Sequence, residues 1–393
     1  MIHLRGISIL LWIFGCIAAQ SVTAAPHTPA KKQIIAYVFV KDRAIEPDEI
    51  AANLLTRINY AFANIENGKI VAGFAHDREN FDTLRSLKKK NPKLEVLVSV
   101  GGWTWSGQFS DVSLTPASRQ TFIDSAVQFI RDNQLDGLDI DWEYPAQAGN
   151  GNIYRPEDKQ NYTALLRELR IAFDKEGKAL GRHLITSIAV GGSSNFIANT
   201  EMDKVQLYVD TVNLMSYDYY EPDSDAITGH HAPLYTNPSD PKHASADASV
   251  KLFEQAGVPA SKIVLGVPFY GHVWADVADT NHGLYQAGKK TNIWASYHDI
   301  TDTLLKNGFN RYWDSTASAP YLYNPATRTF VSYDDVESIQ LKCQYVLKSN
   351  LAGVMFWEYS GDTAGHALLN SIDVGLASTP AKSAGTKPLK ESQ

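Results

Sequence analysis

The chain has 393 residues, 44% of them hydrophobic and 11% aromatic, enough to build a large core of its own. A formal net charge of -7 with no extended basic run argues against nucleic acid or an anionic membrane surface as partner, and for an uncharged substrate. Two cysteines, Cys16 and Cys343, exclude a disulfide framework once the first is removed with a leader.

That leader is residues 1–24. MIHLRG supplies a positive start, ISILLWIFG an apolar stretch too short to span a bilayer, and SVTAA a small-residue region with cleavage expected after Ala24. Ile13-Phe14-Gly15-Cys16 also has the outline of a lipoprotein signal, but bulky Phe14 stands where a small residue is usual, so anchoring at Cys16 is the weaker reading. The expected product is secreted, outside the cell or into a periplasm, monomeric and without stable membrane insertion.

Eight apolar, β-rich runs follow: IIAYVFV from Ile34, RINYAFANI from Arg57, EVLVSVGG from Glu95, LDGLDIDWE from Leu135, LITSIAVGG from Leu184, TVNLMSYDYY from Thr211, KIVLGVPFYG from Lys262 and AGVMFWEYS from Ala352. Helical patterns alternate with them. In TPASRQTFIDSAVQFIRDN, Thr115 caps, Pro116 suits the first turn, and Phe122, Ala126, Phe129 and Ile130 share a face. In DKQNYTALLRELRIAF the face is Tyr162, Leu165, Leu166, Leu169 and Phe173. Such alternation predicts an α/β fold, a (β/α)8 TIM barrel over 33–271 and 335–376 whose strands are buried on both faces. Catalytic residues of such barrels gather at the C-terminal ends of the strands.

The interval 272–334, roughly 60 residues between the seventh and eighth strands, is too long for a loop and predicts a small α+β insertion domain beside that face. Trp274, Trp294 and Trp313 lie in it or beside it. Cys343 falls in a helical pattern with Val336, Ile339, Leu341 and Val346 and has no catalytic duty, and no Cys/His spacing suits zinc. The tail 377–393, rich in Ser, Pro, Gly and Lys, is expected to be disordered.

The fourth run carries the chemistry. In LDGLDIDWEYP, strand alternation puts Asp139, Asp141 and Glu143 on one face, about 7 Å apart, and Asp136 on the other. Three like charges in a partly dry barrel cannot all ionise, so a proton is retained near neutral pH, and at the mouth such a carboxyl is a general acid. A shared-proton structural core is a weaker reading, since no Lys or Arg matches three aligned carboxylates, and so is a magnesium or calcium site, since no histidine joins the ladder. Asp136 is expected to find a structural partner.

DGLDIDWE resembles the D-x-x-D-x-D-x-E signature of family 18 glycoside hydrolases, the chitinases and their relatives. SVGGW at Ser99 to Trp103, MSYD at Met215 to Asp218, GVPFYG and GVMFWEY are similar to further strand motifs of that family in the same order, so that the likeness covers about residues 33 to 370. The resemblance implies a secreted chitinase acting on chitin or chitooligosaccharides, with retention and substrate assistance and with no metal or organic cofactor. It implies Glu143 as general acid and base, Asp141 as the group orienting the sugar's acetamido nitrogen, Asp139 as its proton-sharing neighbour and Tyr217 as a hydrogen-bond donor to the acetamido oxygen. Asp218 would hold the distorted sugar, with Met215 either beside it or in the core. Trp357 would be the floor beneath the sugar being cleaved and Trp103 a further platform. Tyr144 would orient the acid, and Tyr37 and Phe62 would either fill the barrel or touch sugar. Relatives often carry Arg where this chain has His272, which weakens that contact or makes it pH-dependent. A chitin-binding lectin on the same barrel and an endo-β-N-acetylglucosaminidase acting on N-glycans are the alternatives. The first loses the acid that Glu143 supplies here, and the second is disfavoured by the long insertion.

Overall fold

A computed structural model describes residues 31–378. The expected leader, Cys16 with it, and the tail beyond 378 lie outside the described residues. Eight parallel strands form the barrel: β1 (Gln33–Phe39), β2 (Arg57–Glu66), β3 (Glu95–Gly101), β4 (Gly137–Asp141), β5 (Ile185–Gly191), β6 (Thr211–Met215), β7 (Ile263–Pro268) and β8 (Gly353–Trp357). Each pairs with the next, and β1 pairs with both β2 and β8, which closes the sheet. All five residues of β4 are buried. That two-sided burial is the reason these runs read as almost continuous apolar sequence.

Helices pack outside. In α1 (Pro116–Asn133) the Thr115 side chain accepts from the Ser118 N–H in a reciprocal cap, and Phe122, Ala126 and Ile130 are buried, with Phe129 partly so. In α2 (Asp158–Leu180) the buried stripe is Tyr162, Leu165, Leu166, Leu169 and Phe173. Cys343 sits in α3 (Val336–Lys348) and is fully buried, with its thiol pushed up to about 12 by that burial.

Directly after β7, the chain enters a second sheet of five antiparallel strands. Their spatial order is Lys289–Ser296, Tyr270–Ala275, Thr329–Ser332, Ala319–Asn324 and Asn310–Asp314. All five strands lie in the chain between barrel strands seven and eight, where the insertion is expected. It starts at Tyr270, so His272 is a strand residue inside it. Trp274, Tyr321, Tyr323 and Phe330 form its core with Tyr220 and Leu284.

Candidate functional site

Asp136 leaves the barrel interior, as alternation requires. Its carboxylate pairs with Lys88 and with Arg182, at 2.6 Å to the guanidinium, and accepts the Val96 N–H at 2.8 Å. The next acid on β4 faces inward. Asp139 is in register with Ser99 on β3 and Ser187 on β5, so both hydroxyls meet its carboxylate, at 2.8 and 2.6 Å. The Tyr37 hydroxyl donates at 2.9 Å and the Asn213 amide at 3.1 Å. Burial pushes the Asp139 carboxyl up, while the Ser187, Ser99 and Tyr37 hydroxyls and then the charge of buried Arg57 oppose the shift. Ser187, Asn213 and Arg57 gained no role from the sequence, although alternation places Ser187 and Asn213 on the inward faces of their strands.

Asp141 ends β4, is 3% exposed, and has a buried Oδ1 without a hydrogen-bond partner among the described residues. Burial, then the charges of Glu143 and Asp139, hold its carboxyl well above the usual range. Both Asp139 oxygens accept from neighbouring side chains, and its charge is one of those that raise Asp141. Gly101, at φ 108°, lets β3 approach here: a Cβ on it would stand 2.4 Å from the Asp141 carbonyl oxygen. Trp142 turns outward and stacks on Phe109, centroids 5.4 Å apart, which fixes the side from which the acids project.

Glu143 lies two residues beyond the strand and is half-buried. Burial raises its carboxyl to about 8, and the charges of Asp218 and Glu221 add to the effect. It can therefore keep a proton at neutral pH at the open end of the barrel. Glu221, itself raised to about 7 by burial and then by Asp218, was not singled out in the sequence. Tyr144 donates its hydroxyl to the Trp103 carbonyl at 2.9 Å and sets its ring edge-on to Trp103.

Tyr217 follows β6, with its hydroxyl 3.9 Å from the Met355 sulfur and its ring near Tyr270. Met215 is partly buried against the same cluster, which also holds Trp357. Asp218, at φ 59°, turns its carboxylate toward Tyr270 OH at 2.6 Å, His272 Nε2 at 2.8 Å and His231 Nδ1 at 3.5 Å, all on one oxygen. Burial opposes its ionisation, but the hydrogen bonds and charge from His231 and His272 outweigh it and hold the carboxyl well below the usual range. Burial in turn lowers His231 to about 4. His231 was missed in the sequence: it is far from the other two along the chain, and no spacing rule joins them.

Phe62 stacks on Trp357 at 5.5 Å and 21°, and Tyr37 lies 5.9 Å from the same ring, so both buried side chains support Trp357. Trp103 is 56% exposed, as a platform for a ligand requires. The insertion's tryptophans divide: Trp274 is core, Trp294 is 57% exposed and stacks on Tyr270 at 4.2 Å, and Trp313 lies under the Arg311 guanidinium.

Residues 33–362 match the family model described as Glycosyl hydrolases family 18. Chitinase A1 of Niallia circulans is 43% identical over an alignment of 317 residues that covers 76% of this chain and 45% of that protein. This chain thus spans under half the length of that relative. Chitotriosidase-1 of Mus musculus is 34% identical over 321 residues, 79% of this chain and 68% of its own. Among solved structures, a family 18 N-acetylglucosaminidase from Paenibacillus barengoltzii superposes with a TM-score of 0.81 at 43% identity, covering 88% of this chain and 99% of that one.

Proposed function

The chain belongs to the glycosyl hydrolases family 18, and from that premise we propose that it is a chitinase, cleaving β-1,4 bonds between N-acetylglucosamine units of chitin or chitooligosaccharides. The observation that carries the reading is the placement of Glu143 just past the C-terminal end of β4 at the barrel mouth, with Asp141 between it and the buried Asp139, where burial raises its carboxyl.

In this mechanism the Glu143 carboxyl gives its proton to the glycosidic oxygen as that oxygen leaves C1. The carbonyl oxygen of the sugar's own 2-acetamido group attacks C1 from the opposite face and closes an oxazolinium ring. Asp141, whose Oδ1 has no partner among the described residues, accepts the acetamido N–H and stabilises the positive charge that develops there. Tyr217 donates its hydroxyl to the acetamido oxygen and holds it in line. The Glu143 carboxylate then takes a proton from water, the water oxygen opens the ring at C1, and the net result is retention. Asp218 and Met215 line the distorted sugar, Trp357 forms its floor, and Trp103 extends the binding face. No metal or organic cofactor takes part.

A second reading, release of single N-acetylglucosamine units from a chain end, is favoured by the Paenibacillus barengoltzii N-acetylglucosaminidase, nearly all of which this chain covers. The test is incubation with chitin oligomers, with long soluble chitin and with a high-mannose glycoprotein. Oligomer cleavage with an early fall in viscosity supports a chitinase acting internally, and monosaccharide release without that fall supports the second reading. Glycan release alone, or binding without turnover, rejects both.

We also infer secretion of a monomer through removal of residues 1–24. Among the described residues no helix is long and apolar enough to cross a membrane. A mature N-terminus at Ala25 is the expected result of sequencing the exported protein.

A further inference from the structure

We propose that Asp218, His231 and His272 form a binding site for a divalent metal of the zinc class, and that its occupation inhibits hydrolysis. The ligand atoms come from three separate elements: the turn after β6, the following loop and the first strand of the insertion. One carboxylate oxygen and two imidazole nitrogens lie within 4.8 Å of one another. A tetrahedral zinc centre with bonds near 2.1 Å sets its ligand atoms about 3.4 Å apart. The separation of 3.5 Å from Asp218 Oδ1 to His231 Nδ1 already meets this, the 2.8 Å to His272 Nε2 must open slightly, and the two imidazole nitrogens lie within 4.8 Å of each other, a gap that rotation of the less buried His272 ring can adjust.

The ligands are held in place before any ion arrives. The His231 backbone N–H donates to Ser332 Oγ at 2.8 Å, its carbonyl accepts from the Tyr219 N–H at 3.1 Å, and its ring is fully buried against Tyr270 and His272. Strand pairing fixes His272 opposite Trp294 and Ser332. Three protein ligands leave a fourth position open, the pattern of an accessible site and not of a closed structural one. The donor set of two imidazoles and one carboxylate suits zinc, copper or nickel and does not suit magnesium or calcium.

The affinity should be moderate. Ligating histidines normally donate their second N–H to an acceptor, and His231 Nε2 has no partner among the described residues. This is the character of a reversible inhibitory site. The inhibition rests on the reading of Asp218 as a group that holds the sugar, because an ion on Asp218 withdraws it from substrate.

The test is calorimetric titration of the full chain, without a histidine tag, with zinc chloride alone, and with cobalt for its visible spectrum. One saturable site and a four-coordinate cobalt band are expected. His231→Asn and His272→Arg should each weaken binding about tenfold or more, since each removes one of three protein ligands. His183→Asn, at an exposed residue paired with Asp210, should not. Thermal melts confirm folding, and the less buried His272 keeps the test open if the His231 variant fails. Absence of a saturable site, or wild-type affinity in the folded variants, overturns the site. In kinetics, zinc should inhibit oligosaccharide hydrolysis competitively, with relief by chelator and loss of the effect in His272→Arg. Binding with the expected variant pattern but unchanged turnover overturns the inhibition and the reading of Asp218 while the metal site stands.

Discussion

Asp139 and Asp141 stand two residues apart on one strand and are held in opposite ways: Asp139 accepts hydrogen bonds from Tyr37, Ser99, Ser187 and Asn213, whereas Asp141 keeps a buried oxygen without a partner among the described residues. Asp139 is the hub of four barrel strands beside its own. Asp141 is destabilised where it stands, and its strongest neighbouring charge is Glu143. The unmet oxygen is a cost to the fold that a bound acetamido group would remove.

The two acids should therefore separate in mutagenesis. Asp139→Ala strands several buried donors and should cost roughly 3 kcal/mol of stability, since each buried group left unsatisfied costs about 1–3 kcal/mol and such losses do not simply add. Asp141→Ala removes an ill-satisfied carboxyl and should leave stability unchanged or raised, while turnover falls about 100-fold or more. Denaturant melts and kcat on chitin oligomers check both. Equal destabilisation by the two variants would contradict the division of labour.

Glu143→Gln should keep oligosaccharide binding and lose turnover by about 100-fold or more, the usual worth of a positioned acid. Its pH dependence is fixed by the raised pKa. The proton needed for the first step is present below about 8 and is lost as pH rises through that value, so wild-type activity should fall on the alkaline side near pH 8. Stability carries the same sign. A carboxyl that binds its proton more tightly folded than unfolded favours the fold below its unfolded pKa, and that contribution is lost as pH rises through the folded pKa. The melting temperature of Glu143→Gln, relative to wild type, should accordingly rise by a few degrees between about pH 5 and pH 8. A difference independent of pH would place the proton elsewhere.

A chelator should leave turnover of metal-free enzyme unchanged, because both proton transfers in the proposed sequence run through Glu143, first to the glycosidic oxygen and then from water. Loss of activity on dialysis against EDTA, restored by magnesium, would return the carboxylates to the role of metal ligands.

The barrel was legible because parallel strands buried on both faces leave runs such as IIAYVFV and KIVLGVPFYG that little else in a globular chain explains. The acids were legible for a different reason: alternation is strict enough to separate Asp136, which meets Lys88 and Arg182, from Asp139 and Asp141 inside. Alternation does not extend to Glu143, which lies past the strand's end and owes its place to the turn. The meeting of Asp218 with His231 and His272 had no trace in periodicity, since 13 and 54 residues separate them and only the docking of the insertion brings them together. The roles of Trp274 and Trp294 were equally hidden: both lie on neighbouring strands of one sheet, and only its packing decides which ring is core and which is open.

The insertion meets α3 at a buried ion pair, which gives the last prediction. Lys342 and Asp334 are both fully buried and joined to each other, and the Lys342 ammonium also donates to the Ala232 carbonyl at 2.7 Å, one residue after His231. The pair therefore fastens the loop that carries His231 to α3. Burial lowers Lys342 and raises Asp334, each against the pull of the other. Lys342→Met leaves a carboxyl buried and uncompensated, which should cost roughly 3–5 kcal/mol. Lys342→Met combined with Asp334→Asn removes both charges and should regain most of that loss, because two neutral groups do not need the compensation that one charge does. The coupling, read from a double-mutant cycle of denaturant melts, should exceed about 2 kcal/mol. Additive losses would mean that the two charges are stabilised separately and that the His231 loop is held by its backbone alone.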